Sequence, residues 1–411
     1  MERRRRIGLF GALYFAQGVP FGFVTVAVPI YLASRADQAS ISSLVATVLL
    51  PWSFKWLAGP VIDRVTLGRF GRRRPWILVG QLGMGATLVG LIGCDPVAGR
   101  ASFIALLLVH NAFAALQDIA VDAWAVDIVP QSERGTVQSV MFAGKYLGIA
   151  VGGAPLSWAI RNHGFGAVAA VQAVMILAIG GLVLAAREQG RARGEGGGGE
   201  RSTFTWKALT GTFLTLAPGL ALIYAVVDRI GTNMVGAVML PFVRGEGGYS
   251  PASAEIASAW MLGGTTVGCL LGGMVSDHLG RRRTILAATA ATAAAYLLFA
   301  VTPGLRDSFP VLCGVLAAMA ALEGFLITAQ NSLFMDLCNP AIGGTQFTLY
   351  MSASNVCGAW SIAVSGPLTG EVGRLGVIAI AAAAQLVGLV LLRWLRGAEA
   401  DQRPQADRPA P

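Results

Sequence analysis

Residues 117–128, QDIAVDAWAVDI, set Asp118 and Asp122 four residues apart at the end of the apolar run ASFIALLLVHNAFAA, with Asp127 five residues further on. On a helical wheel Asp118 and Asp122 share a narrow stripe with Asn111, Ala114, Ala115 and Ala125, while Val109, Phe113, Leu116 and Ala120 lie opposite. Two carboxylates one turn apart do not both ionise easily where water is scarce, so the pair should titrate as a coupled unit that takes up and releases a proton. Asp127 falls about 180° from the stripe and should do something else.

The elements that hold these acids must be membrane helices. The 411 residues are 55% hydrophobic and 13% charged, with a mean hydropathy of +0.63, far from the balance of a soluble domain. Apolar runs long enough to cross a ~30 Å hydrocarbon core lie at 7–32, 40–59, 76–94, 101–126, 136–160, 164–186, 216–243, 251–275, 284–302, 308–335, 344–368 and 374–395. They are continuous and much longer than the alternating ~10-residue strands of a membrane barrel. The expected class is therefore an all-α membrane protein with twelve transmembrane helices. Arg3 to Arg6 before the first run imitate a signal peptide, but the run is too long for one and reads as a retained first helix. An ionised carboxylate at mid-bilayer costs roughly 2.5–3.5 kcal/mol, so Asp118 and Asp122 need a functional reason to be there.

The net charge of +9 reflects topology and does not point to a nucleic-acid partner. With the N-terminus inside, each external loop holds one basic residue: Arg35, Arg100, Arg161, Arg244, Arg306 and Arg374. Lys55, Lys145 and Arg229 fall inside spans, and all others of the 31 Lys and Arg lie on the cytoplasmic side. This is positive-inside bias with both termini cytoplasmic. Cys94, Cys269, Cys313, Cys338 and Cys357 show no ligand spacing and read as free packing residues; no metal or cofactor is expected.

RGEGGGGERS at 193–202 interrupts the spans as a flexible linker. The expected domains are a six-helix bundle at 1–186, a cytoplasmic linker at 187–207, a second six-helix bundle at 208–396 and a disordered tail at 397–411. The halves repeat at a spacing of 209 residues: Gly71-Arg-Arg-Arg74 on Gly280-Arg-Arg-Arg283, Asp127 on Asp336, Gly135-Thr136 on Gly344-Thr345, and Asp122 on Asn331.

Two such halves, with Gly59…Asp63-Arg64…GRRR after the second run and Gly273…Asp277…GRRR after the eighth, resemble the major facilitator superfamily. That resemblance implies the major facilitator fold. It also implies close helix approach at the glycines and a cytoplasmic gate of charge pairs: Asp63, Arg64, Arg72, Arg73, Arg74 and Asp127, with Asp277, Arg281, Arg282, Arg283 and Asp336 in the second half. Phe15-x-x-Gly18-x-Pro20, Phe54-Lys55, GRRRPW at 71–76 and above all QDIAVDAWAVDIVPQSERG at 117–135 narrow the resemblance to the muropeptide permease (AmpG) and acetyl-coenzyme A transporter family. Tyr224-x-x-x-Asp228 adds weaker support.

Depth separates the charges. Lys55 and Asp118 both fall ~12–14 Å from the inner boundary and form a candidate ion pair. Lys145, Arg229 and Glu323 lie nearer the midplane, where transporters of the superfamily bind solute. With Asp228 and the neutral Gln17, Asn111, Gln138, Asn233, Gln330 and Asn355, they outline an expected substrate cavity. Only three basic residues are Lys, at positions 55, 145 and 207, and two of these are within spans, which suits a compact or titrating charge. Asp118, Asp122, Asp228 and Glu323 outnumber Lys55, Lys145 and Arg229 by one acid, as proton coupling needs. The expected function is a proton-coupled importer of anhydromuropeptide-type cell-wall fragments across a bacterial cytoplasmic membrane, working as a monomer on a small solute and protons. The alternatives are an acetyl-coenzyme A-like carrier or an exporter of drugs or siderophores. An enzyme is not expected: His110, His163 and His278 are scattered, and neither HExxH nor GxSxG occurs.

Overall fold

The computed structural model describes residues 2–32, 38–65, 71–96, 98–185, 205–339 and 342–401. The linker stretch 193–202, Arg35 and the tail beyond Asp401 lie outside them. The described residues form helices and no strand. In chain order the spans are α1 (Arg3–Leu32), α2 (Ser43–Arg64), α3 (Arg74–Ile92) and α4 (Arg100–Ile128), then α5 (Arg134–Gly152 continued by Ala154–His163). There follow α6 (Phe165–Ala185), α7 (Leu216–Arg244), α8 (Ala252–Leu279), α9 (Arg281–Val301) and α10 (Phe309–Asp336). The remaining stretch, Gly343–Leu395, is two helices, α11 and α12, joined at Gly373, whose φ of 70° and ψ of 172° no helix contains. Among the described residues, ten helical stretches are long and apolar enough to cross a membrane. Dividing the last at Gly373 and adding α5, broken at Gly153 (φ −84°, ψ −114°), accounts for twelve spans. α12 continues to Asp401, into the stretch expected to be a disordered tail.

The chain divides into two compact units. Unit 1 comprises Met1–Pro130, Val140–Phe204 and Pro340–Thr348; unit 2 comprises Gln131–Ser139, Thr205–Asn339 and Leu349–Pro411. Each unit thus takes one short segment from the other half of the sequence, and the two exchanged segments start and end at the repeat spacing. In unit 1 the apolar interior gathers Phe23, Leu44, Met84, Phe103, Leu107 and Ile176. In unit 2 it gathers Met234, Phe242, Tyr296, Phe299, Leu312 and Ile378.

Lipid removes most of the hydrophobic drive between membrane helices, so close packing of small residues takes its place. Within unit 1, Gly144, Gly148 and Gly152 on α5 stand at successive turns, and a Cβ on any of them would run into the α1 carbonyls of Gly11, Phe15 and Val19. Within unit 2, Gly264, Gly268 and Gly272 on α8 meet the α10 carbonyls of Ala317, Ala321 and Phe325 in the same way. These rows set the register in which the polar side chains meet.

Candidate functional site

Pro60 has no N–H to donate to the Trp56 carbonyl, and the N–H of Gly59 takes that carbonyl instead, tightening α2 into a 3-10 turn at Lys55–Ala58. The turn directs Lys55 into the interior of unit 1, where its Nζ lies 2.7 Å from Asp118 Oδ2 with both side chains buried. One turn along α4, Asp122 Oδ1 accepts a hydrogen bond from the buried hydroxyl of Tyr14 on α1. Its Oδ2 is buried with no hydrogen-bond partner among the described residues. The two carboxylates of the stripe are therefore unequal: one is matched by an ammonium, the other by a neutral phenol. Lys145 on α5 completes the group, its Nζ 5.1 Å from the Trp52 ring centroid and 5.8 Å from that of Phe21. Trp52 is fixed in turn by its Nε1 donating to Asn111 Oδ1 at 2.8 Å, while Asn111 Nδ2 donates to the Leu107 carbonyl. Gln17 is buried nearby in sequence, with an amide that makes no hydrogen bond among the described residues.

In unit 2 the polar centre forms around an interruption of α7, whose helical segments end at Ala225 and resume at Ile230. The carbonyls released by the break are taken up by side chains. Trp360 Nε1 donates to the Val226 carbonyl at 3.1 Å, and Gln330 and Gln385 donate to that of Asp228 at 3.1 and 3.3 Å. Asp228 Oδ2 accepts from Ser354 at 2.9 Å and pairs with its neighbour Arg229 at 3.3 Å. Gln330 also donates to the Tyr224 hydroxyl. Among the described residues Asn233 reaches only Cys357 Sγ, at 3.8 Å. Glu323 stands apart, its Oε1 accepting from the Tyr296 hydroxyl at 2.5 Å. Asn355 is exposed, and Ser354 beside it holds the place at Asp228. Gln138, buried in the segment that joins unit 2, has no amide hydrogen bond among the described residues.

The basic clusters build a matching latch in each unit. In unit 1, Arg73 bridges Asp63 (2.7 Å) and Asp127 (2.8 Å). Asp63 also accepts from the N–H groups of Gly344 and Thr345 (3.2 and 2.7 Å) and from Thr345 Oγ1 (2.7 Å). A carboxylate placed against the first N–H groups of α11 acts as a charged cap supplied from elsewhere in the chain. Unit 2 repeats the arrangement. Arg281 bridges Asp277 (2.5 Å) and Asp336 (2.8 Å), and Asp277 accepts from Gly135 N, Thr136 N and Thr136 Oγ1 at 2.9, 2.6 and 2.7 Å. Arg134 adds a contact to Asp336 at 3.2 Å. A Cβ on Gly59 would sit 2.8 Å from Thr345 Cα, so the motif glycine is what lets the segment approach. Burial works against the charge of Arg73, but Asp127, and Asp63 after it, outweigh this and hold the guanidinium above its ordinary value.

Not every Arg of the runs joins a latch. Arg72 reaches the Asp63 carbonyl at 2.8 Å, but Arg74 donates to the carbonyls of Val183 and Leu184 at the end of α6. Arg282 donates likewise to Leu392 on α12, and Arg64 and Arg283 are exposed. The letters of the two GRRR runs repeat at 209, yet the contacts equate Arg73 with Arg281 and Arg74 with Arg282, a slip of one residue. The physical reason is the helix start: Arg73 caps α3 from outside, whereas Arg281 is the first residue of α9. Spacing alone did not single out Tyr14, Trp52, Tyr296, Ser354 or Gln385. Tyr14 lies one turn before Gln17 on α1.

Comparison with known proteins agrees with this architecture. The chain is 26% identical over 391 residues to the anhydromuropeptide permease of Escherichia coli K12, covering 92% of this chain and 77% of that protein. Among solved structures it superposes on the E. coli fucose:proton symporter FucP with a TM-score of 0.73 at 11% identity, covering 95% of this chain and 98% of that one. A bacterial homologue of the iron transporter ferroportin gives a TM-score of 0.73 at 13% identity, with coverages of 96% and 100%. The sequence model of the Major Facilitator Superfamily matches residues 10–227 and 221–411. With two repeated units, paired Asp/Arg latches and charges held inside apolar helices, the chain is an integral membrane transporter and belongs to the Major Facilitator Superfamily.

Proposed function

We propose that this transporter imports anhydromuropeptide-type cell-wall fragments across a bacterial cytoplasmic membrane, driven by protons. The observation that carries the coupling is the inequality of the two α4 acids: Asp118 is matched by Lys55, while Asp122 has a phenol at one oxygen and no partner at the other among the described residues. A proton arriving at Asp122 Oδ2 breaks no existing hydrogen bond and neutralises the acid of the pair that makes no direct ion pair among the described residues. Within the pair this gives the main coupling role to Asp122, with the Lys55–Asp118 pair as its electrostatic frame. The latches are the element that changes state. Opening one requires a carboxylate to give up three hydrogen bonds to an exchanged segment, a cost that solute and proton binding must offset. The relative's name supports the solute class.

The test is uptake of radiolabelled anhydromuropeptide into proteoliposomes under an imposed inward proton gradient, with labelled acetyl-coenzyme A as comparator. Uphill accumulation of the sugar peptide alone is expected. Accumulation of acetyl-coenzyme A instead, or movement of the sugar peptide indifferent to the gradient, overturns the reading.

A further inference from the structure

Lys145 is the interior cation of unit 1 that the coupling scheme leaves unused. It makes no ion pair among the described residues, is half-buried, and rests on two aromatic faces from different helices, Phe21 of α1 and Trp52 of α2. Those rings meet edge to face at 5.9 Å and 89°, and the Asn111 hydrogen bond locks the indole. The seat thus draws on α1, α2, α4 and α5. Aromatic faces stabilise an ammonium without neutralising it, so the charge remains available.

The charged groups that act on Lys145 are Lys55 from α2 and Asp118 and Asp122 from α4, and Tyr14 from α1 hydrogen-bonds Asp122. With both acids ionised and both lysines charged, the cluster is neutral. With a proton on Asp122 it carries one positive charge, and the position not already paired is Lys145. Resting on the transport reading above, we infer that Lys145 with Trp52 and Phe21 is a seat for a single carboxylate on the solute, filled in company with the proton on Asp122. One unmatched positive charge accommodates a monoanion; a phosphate dianion would leave a net negative charge buried. Proton and carboxylate then assist each other's binding by the same factor, as linkage requires, and the loaded cluster is neutral.

The test is equilibrium binding to the purified, reconstituted full chain, with N-acetylmuramic acid and its carboxamide as probes. Both are amino-sugar derivatives differing at the carboxyl group. Between about pH 5.5 and 8 the acid stays ionised, since an ordinary carboxylate titrates near ~4. The wild type should prefer the acid over the amide about tenfold, a difference of about 1.4 kcal/mol. Lys145→Gln should reduce the preference to about twofold or less, and Lys145→Arg should keep part of it. Acid binding should tighten as pH falls in the wild type, because protonating Asp122 removes a competing negative charge. In Asp122→Asn it should be tight and flat across the range. Equal binding of acid and amide, preference surviving Lys145→Gln, or no saturable binding of the acid each overturns the seat. Lys145-dependent preference for the acid together with failed anhydromuropeptide uptake would instead keep the seat and reject the transport reading.

Discussion

At the scale of single residues, the interior charges differ in whether they have partners. A buried ion pair contributes little net stability against apolar replacements, but removing one member leaves an uncompensated charge and costs about 3–5 kcal/mol. Lys55→Gln and Asp118→Asn should therefore each lower the melting temperature of the purified protein by several degrees. The double variant should regain most of the loss, since two neutral side chains can hydrogen-bond at the 2.7 Å contact. Additive losses would show that the pair does not interact. Lys55 and Asp118 were legible because counting residues back from Asp63 and Asp127 puts them at one depth. Tyr14 was not, because a tyrosine in an apolar run has no periodic signal that separates a packing ring from a hydroxyl aimed at a carboxylate.

At the scale of elements, helix existence followed from apolar run length, and the irregularities did not. The α7 interruption at 226–229 contains neither Gly nor Pro. It is held by Trp360, Gln330 and Gln385, which are distant in sequence, so no local pattern announces it. The repeated Gly and Asp were legible as motif positions, but their partners Thr136 and Thr345 emerge only when the exchanged segments are seen. Gly268→Leu should abolish a monodisperse folded peak in size-exclusion chromatography, because the side chain meets the Ala321 carbonyl where backbone must give way; normal elution would refute the packing argument. Asp63→Asn should lower transport by about tenfold or more while membrane insertion stays normal. An amide can accept at only one of the two oxygens now used by Gly344, Thr345 and Arg73. Transport at the normal rate would reduce the cluster to a topology signal.

At the scale of the whole molecule, the asymmetric distribution of Arg predicts twelve spans with both termini on the cytoplasmic side. Cys269, Cys313, Cys338 and Cys357 are buried and Cys94 is half-buried, so a cysteine-free background requires few exposed changes. In that background, Arg161→Cys should react with an impermeant maleimide added outside, and a cysteine in the 193–202 linker should not; the opposite labelling overturns the topology. The central claim, that Asp122 carries the coupling proton, is tested most directly by comparing two modes of transport in Asp122→Asn proteoliposomes. Gradient-driven uphill accumulation of labelled anhydromuropeptide is expected to disappear while exchange of internal for external solute continues, because the neutral side chain mimics the protonated carrier and cannot release the proton. Full uphill accumulation by Asp122→Asn would contradict the account.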